Sequence, residues 1–361
     1  VDIMIGPRSA LFTPFKNLGL IIIDEEHESA YKSESVPKYH ATEVAIKRAK
    51  DVGATLVLGS ATPSVESYYR AKNGAYKLHV LNKREKGNLP EVHVVDLREE
   101  LKNENKSIFS IELQNLIKDR LEKQQQTMLF INRRGYAGFV SCRDCGEAIK
   151  CPHCDVTLKL HRNRKLVCHY CGHTENMPTL CPKCGSKYLG GFGIGTQQIE
   201  TAVKKMFPHA RVLRMDADTT SKKGGHDEIL SAFANREADI LVGTQMIVKG
   251  HDFPGVTLVG VIAADMSLYS SDYCANERTF QLICQAAGRA GRGELPGIAI
   301  VQTYSPGNYS IETAGRQNYE EFYQTEIALR KQLKYPPFCD IIIIGFNSLN
   351  EAEIKKVSNK A

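Results

Sequence analysis

The sequence has 361 residues and a mass of 40.2 kDa, which is enough chain for two or three domains. Hydrophobic residues make up 42% and charged residues 24%, so the chain is neither disordered nor fibrous, and no apolar run reaches the roughly 20 residues of a membrane-spanning helix. The net charge of 47 − 41 = +6 is a mild basic excess, which does not by itself indicate a polyanionic partner.

The N-terminus shows no secretory signal, and its first residues already have the pattern of a strand. We therefore expect the sequence to be a segment of a longer protein. Eight of the eleven cysteines fall between Cys142 and Cys184 as four C-x-x-C pairs. Without a secretory signal, this pattern favours metal binding over disulfides and predicts a reducing, cytoplasmic location.

Residues 1–80 alternate buried strands with a helix and are predicted to be half of an α/β domain. The apolar run at 20–23 predicts a parallel strand that is covered on both faces. A helix is predicted over 41–50 and a second strand over 55–58. The polar stretch at 81–106 predicts a linker.

A second α/β unit is predicted over 107–141 and 191–305, and an insert at 142–190 carries the cysteines. The remaining segments are predicted to be a helical connector at 306–334 and the start of a further domain at 335–361. The predicted elements are a helix at 111–123 and strands at 128–132, 211–215, 239–242, 258–263, 298–303 and 341–346.

The four C-x-x-C knuckles match the ligands of tetrahedral Zn²⁺ sites built from four thiolates. Strand-like segments at 156–160 and 166–168 predict a hairpin that brings the second and third knuckles together. The predicted pairing is therefore nested, and a site closed by four thiolates favours a structural role. The two predicted ligand sets are Cys142, Cys145, Cys181 and Cys184 for the first ion and Cys151, Cys154, Cys168 and Cys171 for the second.

Basic residues on the predicted hairpin fit two interpretations, contact with phosphate or a solvated turn. They are Lys159, Arg162, Arg164 and Lys165.

Acidic residues follow the first strand directly, in the DEEH motif of residues 24–27. Hydrolysis of a nucleoside triphosphate needs one carboxylate for Mg²⁺ and another that orients or deprotonates the attacking water. Ligands of open α/β sheets bind at the carboxyl ends of the strands, where these acids stand. Acidic pairs also cap helices, so this motif alone leaves both interpretations open.

Further motifs end other predicted strands: GSATP at 59–63, VGTQ at 242–245 and, after it, KGHD at 249–252. The sequence QAAGRAGR at 285–292 places two arginines three residues apart, which is one face of a helix if the stretch is helical. Arginines that one domain aims at a phosphate on another stabilise transition-state charge. The alternative is a solvated basic helix end.

The order of these motifs resembles the superfamily 2 helicases, and among them the primosomal protein N′ (PriA) family of replication-restart helicases. The resemblance rests on GPRSALF at 6–12, DEEH, GSATP, NRRG at 132–135, the eight-cysteine insert, GIGTQQ at 193–198, and the TQM…KGHDF and GRAGR motifs. It implies two RecA-like domains with ATP bound between them, the first domain being incomplete here, and it agrees with the nested zinc pairing.

The resemblance implies an ATP-driven DNA translocase that moves 3′ to 5′, recognises stalled or abandoned replication forks and starts primosome assembly. The implied cofactors are ATP with Mg²⁺ and two Zn²⁺. The implied partners are forked DNA, the proteins of the primosome and of replication restart, and single-stranded-DNA-binding protein.

The resemblance also implies roles for residues that match the family's motifs. Asp24 would hold Mg²⁺, Glu25 would be the catalytic base, and His27 belongs to the same catalytic motif. Arg289 and Arg292 would contact the γ-phosphate. Ser60 and Thr62 would couple hydrolysis to movement. The implied contacts to DNA are Arg8, Tyr31, Lys32, Tyr39, His40, Thr244 and Lys249, the last two facing DNA or nucleotide. For the loop at 31–40, ordinary packing of a surface loop is the alternative.

The sequence departs from the family because it contains no G-x-x-x-x-G-K-[ST] phosphate loop. We therefore expect residues 1–361 alone not to hydrolyse ATP, and residues 1–80 to be marginally stable in isolation. Two other hypotheses remain open. One is a fork-binding assembly scaffold that needs no ATP turnover, and the other is an RNA helicase, since both nucleic acids present the same phosphate charge.

Overall fold

The computed structural model describes most of the chain, and the predicted site residues Cys154 and Lys249 lie outside the described residues. Most of the predicted strand at 341–346 also lies outside them, and its first two residues are not in a strand. Within the described part, no helix has the length and apolarity to cross a bilayer. The described residues are 2–33, 35–81, 89–132, 139–153, 156–161, 164–169, 171–191, 194–220, 224–247, 252–270, 272–342, 354 and 356–357.

Helices and strands alternate along the chain, as the sequence predicts for an α/β protein. Short 3-10 helices stand at Arg8–Phe12 and Ser29–Tyr31. The helices are α1 (Ala41–Val52), α2 (Val65–Lys72), α3 (Leu97–Lys102), α4 (Ile111–Glu122), α5 (Thr196–Met206), α6 (Gly225–Ala234), α7 (Asp265–Leu268), α8 (Ala275–Ala287), α9 (Tyr309–Gly315) and α10 (Tyr319–Leu333). The strands are β1 (Leu20–Ile23), β2 (Thr55–Leu58), β3 (Glu91–Asp96), β4 (Gln126–Phe130), β5 (Val140–Cys142), β6 (Lys159–Leu160), β7 (Lys165–Val167), β8 (Thr174–Asn176), β9 (Leu189–Gly191), β10 (Val212–Met215), β11 (Ile240–Gly243), β12 (Val256–Val261) and β13 (Ile298–Thr303).

A six-stranded parallel sheet forms the centre of the second unit, in the order β10-β11-β4-β12-β13-β3. Its middle strands are buried along their whole length, as the apolar runs of the sequence predict for a sheet covered on both faces. One face packs on α4 and α5 through a core that includes Leu113, Ile117 and Ile199. The other face packs on α6, α8, α9 and α10.

Strand β3 corrects the prediction of a linker at 81–106. Residues 91–96 pair in parallel with β13 over six positions and form the edge of the large sheet. The polar residues Glu91, His93 and Asp96 hid this strand in the sequence. They are tolerated because an edge strand has a neighbour on one side and solvent on the other.

The first unit contains a two-stranded parallel sheet of β1 and β2, with α1 packed against both strands. Strand β1 differs from the prediction of burial on both faces, because Leu20 is 52% exposed and Ile22 is 64% exposed while Ile23 is buried. Within the described residues β1 pairs with β2 alone, and α1 covers one face of this pair. The exposed side chains therefore lie on the opposite face.

Helix α2 attaches the first unit to the second. Its N-cap Ser64 accepts a hydrogen bond from the N–H of Ser67, and Val65 is fully buried in the core of the second unit. Tyr68 packs edge-on against Tyr319 and Tyr323 of α10, at ring-centroid distances of 5.1 and 4.7 Å. The α2 helix is therefore packed as part of the second unit.

The cysteine insert begins and ends on one antiparallel pair, β5 with β9, so the chain leaves the second unit and returns to it at the same place. Beyond this pair, β6, β7 and β8 form a three-stranded antiparallel sheet. The hairpin of β6 and β7 matches the predicted one, although β6 is shorter than the sequence pattern indicates and β7 begins and ends one residue earlier.

Candidate functional site

The predicted catalytic residues lie at the carboxyl ends of β1 and β2. Asp24 and Glu25 follow β1, Ser60 and Thr62 follow β2, and the two segments meet because the strands are parallel neighbours. The backbone N–H of Glu25 donates to Oδ1 of Asp24 at 2.9 Å. Glu25 has a φ of 48°, in the left-handed region that non-glycine residues rarely adopt. The residues that do adopt it cluster at functional sites.

His27 connects both motifs with the second unit. Its side chain is 3% exposed, and its Nδ1 lies 2.7 Å from Oγ of Ser60, which also accepts the N–H of Thr62 at 3.0 Å. The Nε2 of His27 lies 2.8 Å from the amide nitrogen of Gln285. An amide nitrogen only donates, so Nε2 accepts and Nδ1 carries the proton that is donated to Ser60.

One face of α8 carries the contacts between the units, with residues four positions apart. Glu277 accepts the backbone N–H of Val65 at 2.9 Å, and the amide nitrogen of Gln281 donates to the carbonyl of Thr62 at 3.4 Å. Gln285, one turn further, makes the contact to the DEEH motif. In the sequence, Gln285 stands out only as the start of the QAAGRAGR motif, and Glu277 and Gln281 were not predicted, although the i, i+4, i+8 spacing of the three indicates a shared helix face.

Glu26 is a buried residue of the DEEH motif for which the sequence predicted no separate role. Its carboxylate accepts from the N–H of Ser64 at 2.6 Å and from the hydroxyls of Ser64 and Ser67 at 3.1 and 2.9 Å. Burial raises the pKa of Glu26, and these hydrogen bonds oppose the rise. The third letter of the DEEH motif therefore holds Ser64, the N-cap residue of helix α2, in place.

The two arginines lie beyond the C-terminus of α8, so they do not share a helix face as they would have if the stretch were helical. Arg289 lines a cavity of about 740 Å³ together with Asp24 and Glu25. Arg292 donates from Nε to the carbonyl of Gly288 at 3.0 Å. The structure brings Arg289 to the acidic pair and uses Arg292 to brace the turn after α8.

The loop at 31–40 lies beside the acidic pair. The hydroxyl of Tyr31 donates to the carbonyl of Asp24 at 2.7 Å, and Arg8 donates to the carbonyls of Ala30 and Lys32 at 2.7 and 3.3 Å. The guanidinium of Arg8 therefore braces the loop.

The two ends of this loop are held together and packed on the 3-10 helix at Arg8–Phe12. Lys32 and His40 form an antiparallel bridge, and the ring of Tyr39 packs edge-on against Phe12 at 5.3 Å. Burial lowers the pKa of His40. In the second unit, Thr244 is half-buried at the end of β11.

The cysteines form two groups in the described residues, one of Cys142, Cys145, Cys181 and Cys184 and one of Cys151, Cys168 and Cys171. Within each group the sulfurs lie within 4.8 Å of one another, and three sulfur pairs are 3.6 Å apart. A tetrahedral Zn²⁺ with bonds of about 2.3 Å places its sulfurs roughly 3.8 Å apart, whereas a disulfide bond is about 2.0 Å long. The arrangement therefore fits zinc and does not fit disulfides.

The cysteine insert is seated on the second unit through Tyr269. The hydroxyl of Tyr269 donates to the carbonyl of Gly146 at 3.1 Å, and it lies 2.6 Å from the hydroxyl of Ser305. Thr157 of the insert donates to the carbonyl of Tyr269 at 2.7 Å. These contacts hold the insert at the carboxyl edge of the large sheet.

We expect Gly146→Ala to destabilise this seat by about 2–4 kcal/mol. Gly146 has a φ of 74°, and a Cβ there would lie 2.2 Å from the carbonyl oxygen of Tyr304. Urea unfolding and limited proteolysis of the insert measure the loss. Gly172→Ala and Gly185→Ala are matched controls, because their φ values are 76° and 71° and a Cβ would meet nothing within 4 Å. The controls should lose only about 1 kcal/mol, and an equal loss in all three variants would contradict the seat.

Comparison with known proteins gives two family matches. The PriA DNA helicase Cys-rich region (CRR) domain matches residues 151–175, and the helicase conserved C-terminal domain matches residues 192–294. The replication restart protein PriA of Bacillus subtilis (strain 168) is 52% identical, over 99% of this chain and 44% of that protein. The replication restart protein PriA of a Synechocystis species is 47% identical, over 98% of this chain and 44% of that protein.

The chain thus spans less than half the length of these relatives. A solved structure, the DUF1998 helicase MrfA bound to DNA, is 15% identical with a TM-score of 0.43, over 95% of this chain and 38% of that one. The family matches and the relatives confirm the predicted resemblance and the predicted fold class, an α/β helicase fold with a small cysteine-rich zinc ribbon.

Proposed function

The chain belongs to the PriA family of replication restart proteins, and on this premise we propose that it forms the central part of an ATP-dependent DNA helicase. The proposed protein moves 3′ to 5′ on DNA, recognises stalled or abandoned forks and starts primosome assembly in the cytoplasm. Its proposed partners are forked DNA, other replication-restart proteins and single-stranded-DNA-binding protein. The name that these relatives share, replication restart protein PriA, supports a role in replication restart.

One observation carries the proposal of ATP hydrolysis: acids of the first unit and an arginine of the second line the same cavity. Asp24 fits a ligand of Mg²⁺ and Glu25 fits the base that takes a proton from water, because both follow a parallel strand at its carboxyl end. Arg289 fits a group that stabilises charge on a phosphate, with Arg292 supporting the turn that presents it. Bound ATP with Mg²⁺ would supply the phosphoryl group that is transferred to water.

The hydrogen bonds of His27 support a coupling role for Ser60 and Thr62. They connect the DEEH motif of the first unit with α8 of the second, so a movement of α8 would shift the side chains of the motif and of Ser60.

We propose that the loop at 31–40 contacts DNA and that this contact alters the positions of Asp24 and Glu25. Tyr31 is bonded to the carbonyl of Asp24, so a displacement of the loop is transmitted to the motif. We propose Lys32, Tyr39 and His40 as its contacts to DNA, where aromatic rings stack on bases and lysine meets phosphate. Arg8 acts by holding the loop, and Thr244 and Lys249 are proposed to act from the second unit.

We propose two Zn²⁺ ions in the insert, with a structural role. The first would be held by Cys142, Cys145, Cys181 and Cys184, and the second by Cys151, Cys154, Cys168 and Cys171. The sulfur spacing in the two described groups supports this assignment. Bound zinc would supply folding energy that an insert of this size cannot obtain from its own core.

The test is ATP hydrolysis by the full-length protein that contains this chain, with and without forked DNA. We expect strong stimulation by DNA, and a loss of about 10²-fold in Glu25→Gln, because the amide cannot accept the proton of water. Glu99→Gln is the matched control, since Glu99 is an exposed residue paired with Lys102. Residues 1–361 alone should show no DNA-stimulated turnover.

Two results would contradict the proposal. Absence of turnover in the full-length protein, with fork binding intact, would favour the assembly scaffold. Stimulation by RNA that exceeds stimulation by DNA would favour the RNA helicase.

A further inference from the structure

Arg330 is a buried arginine that none of the site motifs contains. It stands near the C-terminus of α10, and its side chain is 2% exposed. Its Nε donates to Glu326 at 2.7 Å, its Nη2 to Glu277 at 2.6 Å and its Nη1 to Glu66 at 2.7 Å. The guanidinium therefore joins three carboxylates from three helices: α10, α8 and α2.

The groups around Arg330 hold it in one orientation. Tyr273 lies with its ring 5.1 Å from the guanidinium carbon, and Tyr309 donates a hydrogen bond to Glu326. Three carboxylates face one cation, and burial together with the charge of Glu277 raises the pKa of Glu66 to about 7. Without Arg330, Glu277 and Glu326 would be buried and uncompensated, and the partly exposed Glu66 would lose its partner.

Glu277 connects Arg330 with the start of α2, where the first and second units meet. One of its oxygens accepts from Arg330, and the other accepts the N–H of Val65 in the first turn of α2. The carboxylate thus fixes the start of α8 against the segment that follows the GSATP motif.

Helix α8 connects Glu277 with Arg289, the residue proposed to contact phosphate. Gln281 and Gln285 follow on the same face and contact Thr62 and the DEEH motif. Arg289 stands four residues after Gln285, just beyond the end of the helix. At 1.5 Å per residue, Arg289 lies about 18 Å from Glu277 along the helix axis. A slide of α8 at Glu277 would therefore displace Arg289 by a similar amount.

We propose that Arg330 and Glu277 are positioning residues that set the register of α8 against residues 59–67 and thereby place Gln285 and Arg289 at the acidic pair. This inference rests on the proposed function for its effect on turnover. Its structural part, the seating of α8 on α2, stands on the contacts alone.

The test compares Arg330→Met with the double variant Arg330→Met/Glu277→Met in the full-length protein. Loss of Arg330 should lower the unfolding midpoint by several degrees and lower kcat at least tenfold. The KM for ATP should change less than about twofold, because the displaced Arg289 acts in the transition state. The double variant should recover only part of the midpoint, since it removes one of the three carboxylates that lose their partner, and it should not recover kcat.

Hydrogen exchange supplies a readout that needs no turnover. In both variants, amide protection should fall at least tenfold at residues 59–67 and 277–287, while the strands β4 and β11 keep their protection. Arg316→Met is the matched control and should change none of these quantities, because Arg316 is an exposed arginine paired with Glu321.

Two outcomes would overturn the inference: unchanged protection in Arg330→Met, or recovery of kcat together with the midpoint in the double variant. The second outcome would mean that Arg330 contributes stability alone. If the unmodified protein shows no turnover, the proposed function fails, and the exchange comparison still decides whether Arg330 seats α8.

Discussion

Replacing Cys142 and Cys184 together by serine is expected to leave one zinc ion per chain instead of two. The two residues are far apart in sequence, yet their sulfurs are 3.6 Å apart, and Cys145 and Cys181 complete the same group. Both replacements therefore fall on one ion. If the knuckles paired in sequence order, the two serines would disrupt both sites and leave no zinc.

The loss of this ion should unfold the insert locally. Its described buried core contains only four aliphatic residues and two cysteines (Val140, Ile149, Leu158, Leu166, Cys151 and Cys168). A core of this size supplies little folding energy, whereas a structural zinc site contributes about 10 kcal/mol. We expect residues 139–147 and 177–191, which surround the first group, to lose amide protection, while the second group of cysteines and the large sheet keep theirs.

Zinc per chain, measured by atomic emission, and hydrogen exchange together check this expectation. Cys339→Ser is the control, because Cys339 lies outside both groups and donates to the carbonyl of Lys334. It should retain two zinc ions. Two zinc ions in the double serine variant would contradict the assignment of the ligands.

The sequence patterns located the large sheet well because its strands are buried on both faces. Strand β13 has the predicted bounds, Ile298–Thr303, and the other predicted strands of the sheet lie within two residues of the observed ends. Strand β3 was missed because an edge strand can carry polar residues, as Glu91 and His93 show. Burial of β1 was overestimated because an apolar run does not reveal how many neighbours a strand has.

The candidate site was predictable to the extent that it follows from strand order. Asp24, Glu25, Ser60 and Thr62 meet because adjacent parallel strands end at the same edge, and this is visible in the sequence. The direction of each side chain was not visible.

The contacts of Glu277 and Arg330 depend on packing between helices that are far apart in the chain. Glu277 is 212 residues from Val65, and Arg330 is 264 residues from Glu66. The spacing of Glu277, Gln281 and Gln285 indicates a shared helix face, but a local pattern does not identify the distant partner of each residue, and a glutamate in a helix ordinarily indicates a solvated face. Tertiary structure was needed to find the residues that join the units.

Arg289→Ala is expected to lower DNA-stimulated kcat of the full-length protein by about 10³-fold. Arg289 belongs to the second unit, but it lines the same cavity as Asp24 and Glu25 of the first. An arginine supplied from across such a boundary stabilises charge that develops as the phosphoryl group is transferred. Because this interaction is made in the transition state, kcat and kcat/KM should fall together while KM for ATP stays near its original value.

The neighbouring arginines on the same segment make the experiment specific. Arg278→Ala should leave turnover unchanged, because Arg278 is half-exposed on α8 and paired with Asp272 at 2.6 Å. Arg292→Ala should have a smaller effect than Arg289→Ala, since its Nε is bound to the carbonyl of Gly288 and its loss acts only through the turn. A larger loss in Arg292→Ala would contradict the assignment of the phosphate contact to Arg289. An equal and complete loss in both variants would also contradict it, because Arg292 would then contribute more to turnover than its hydrogen bond to the turn accounts for.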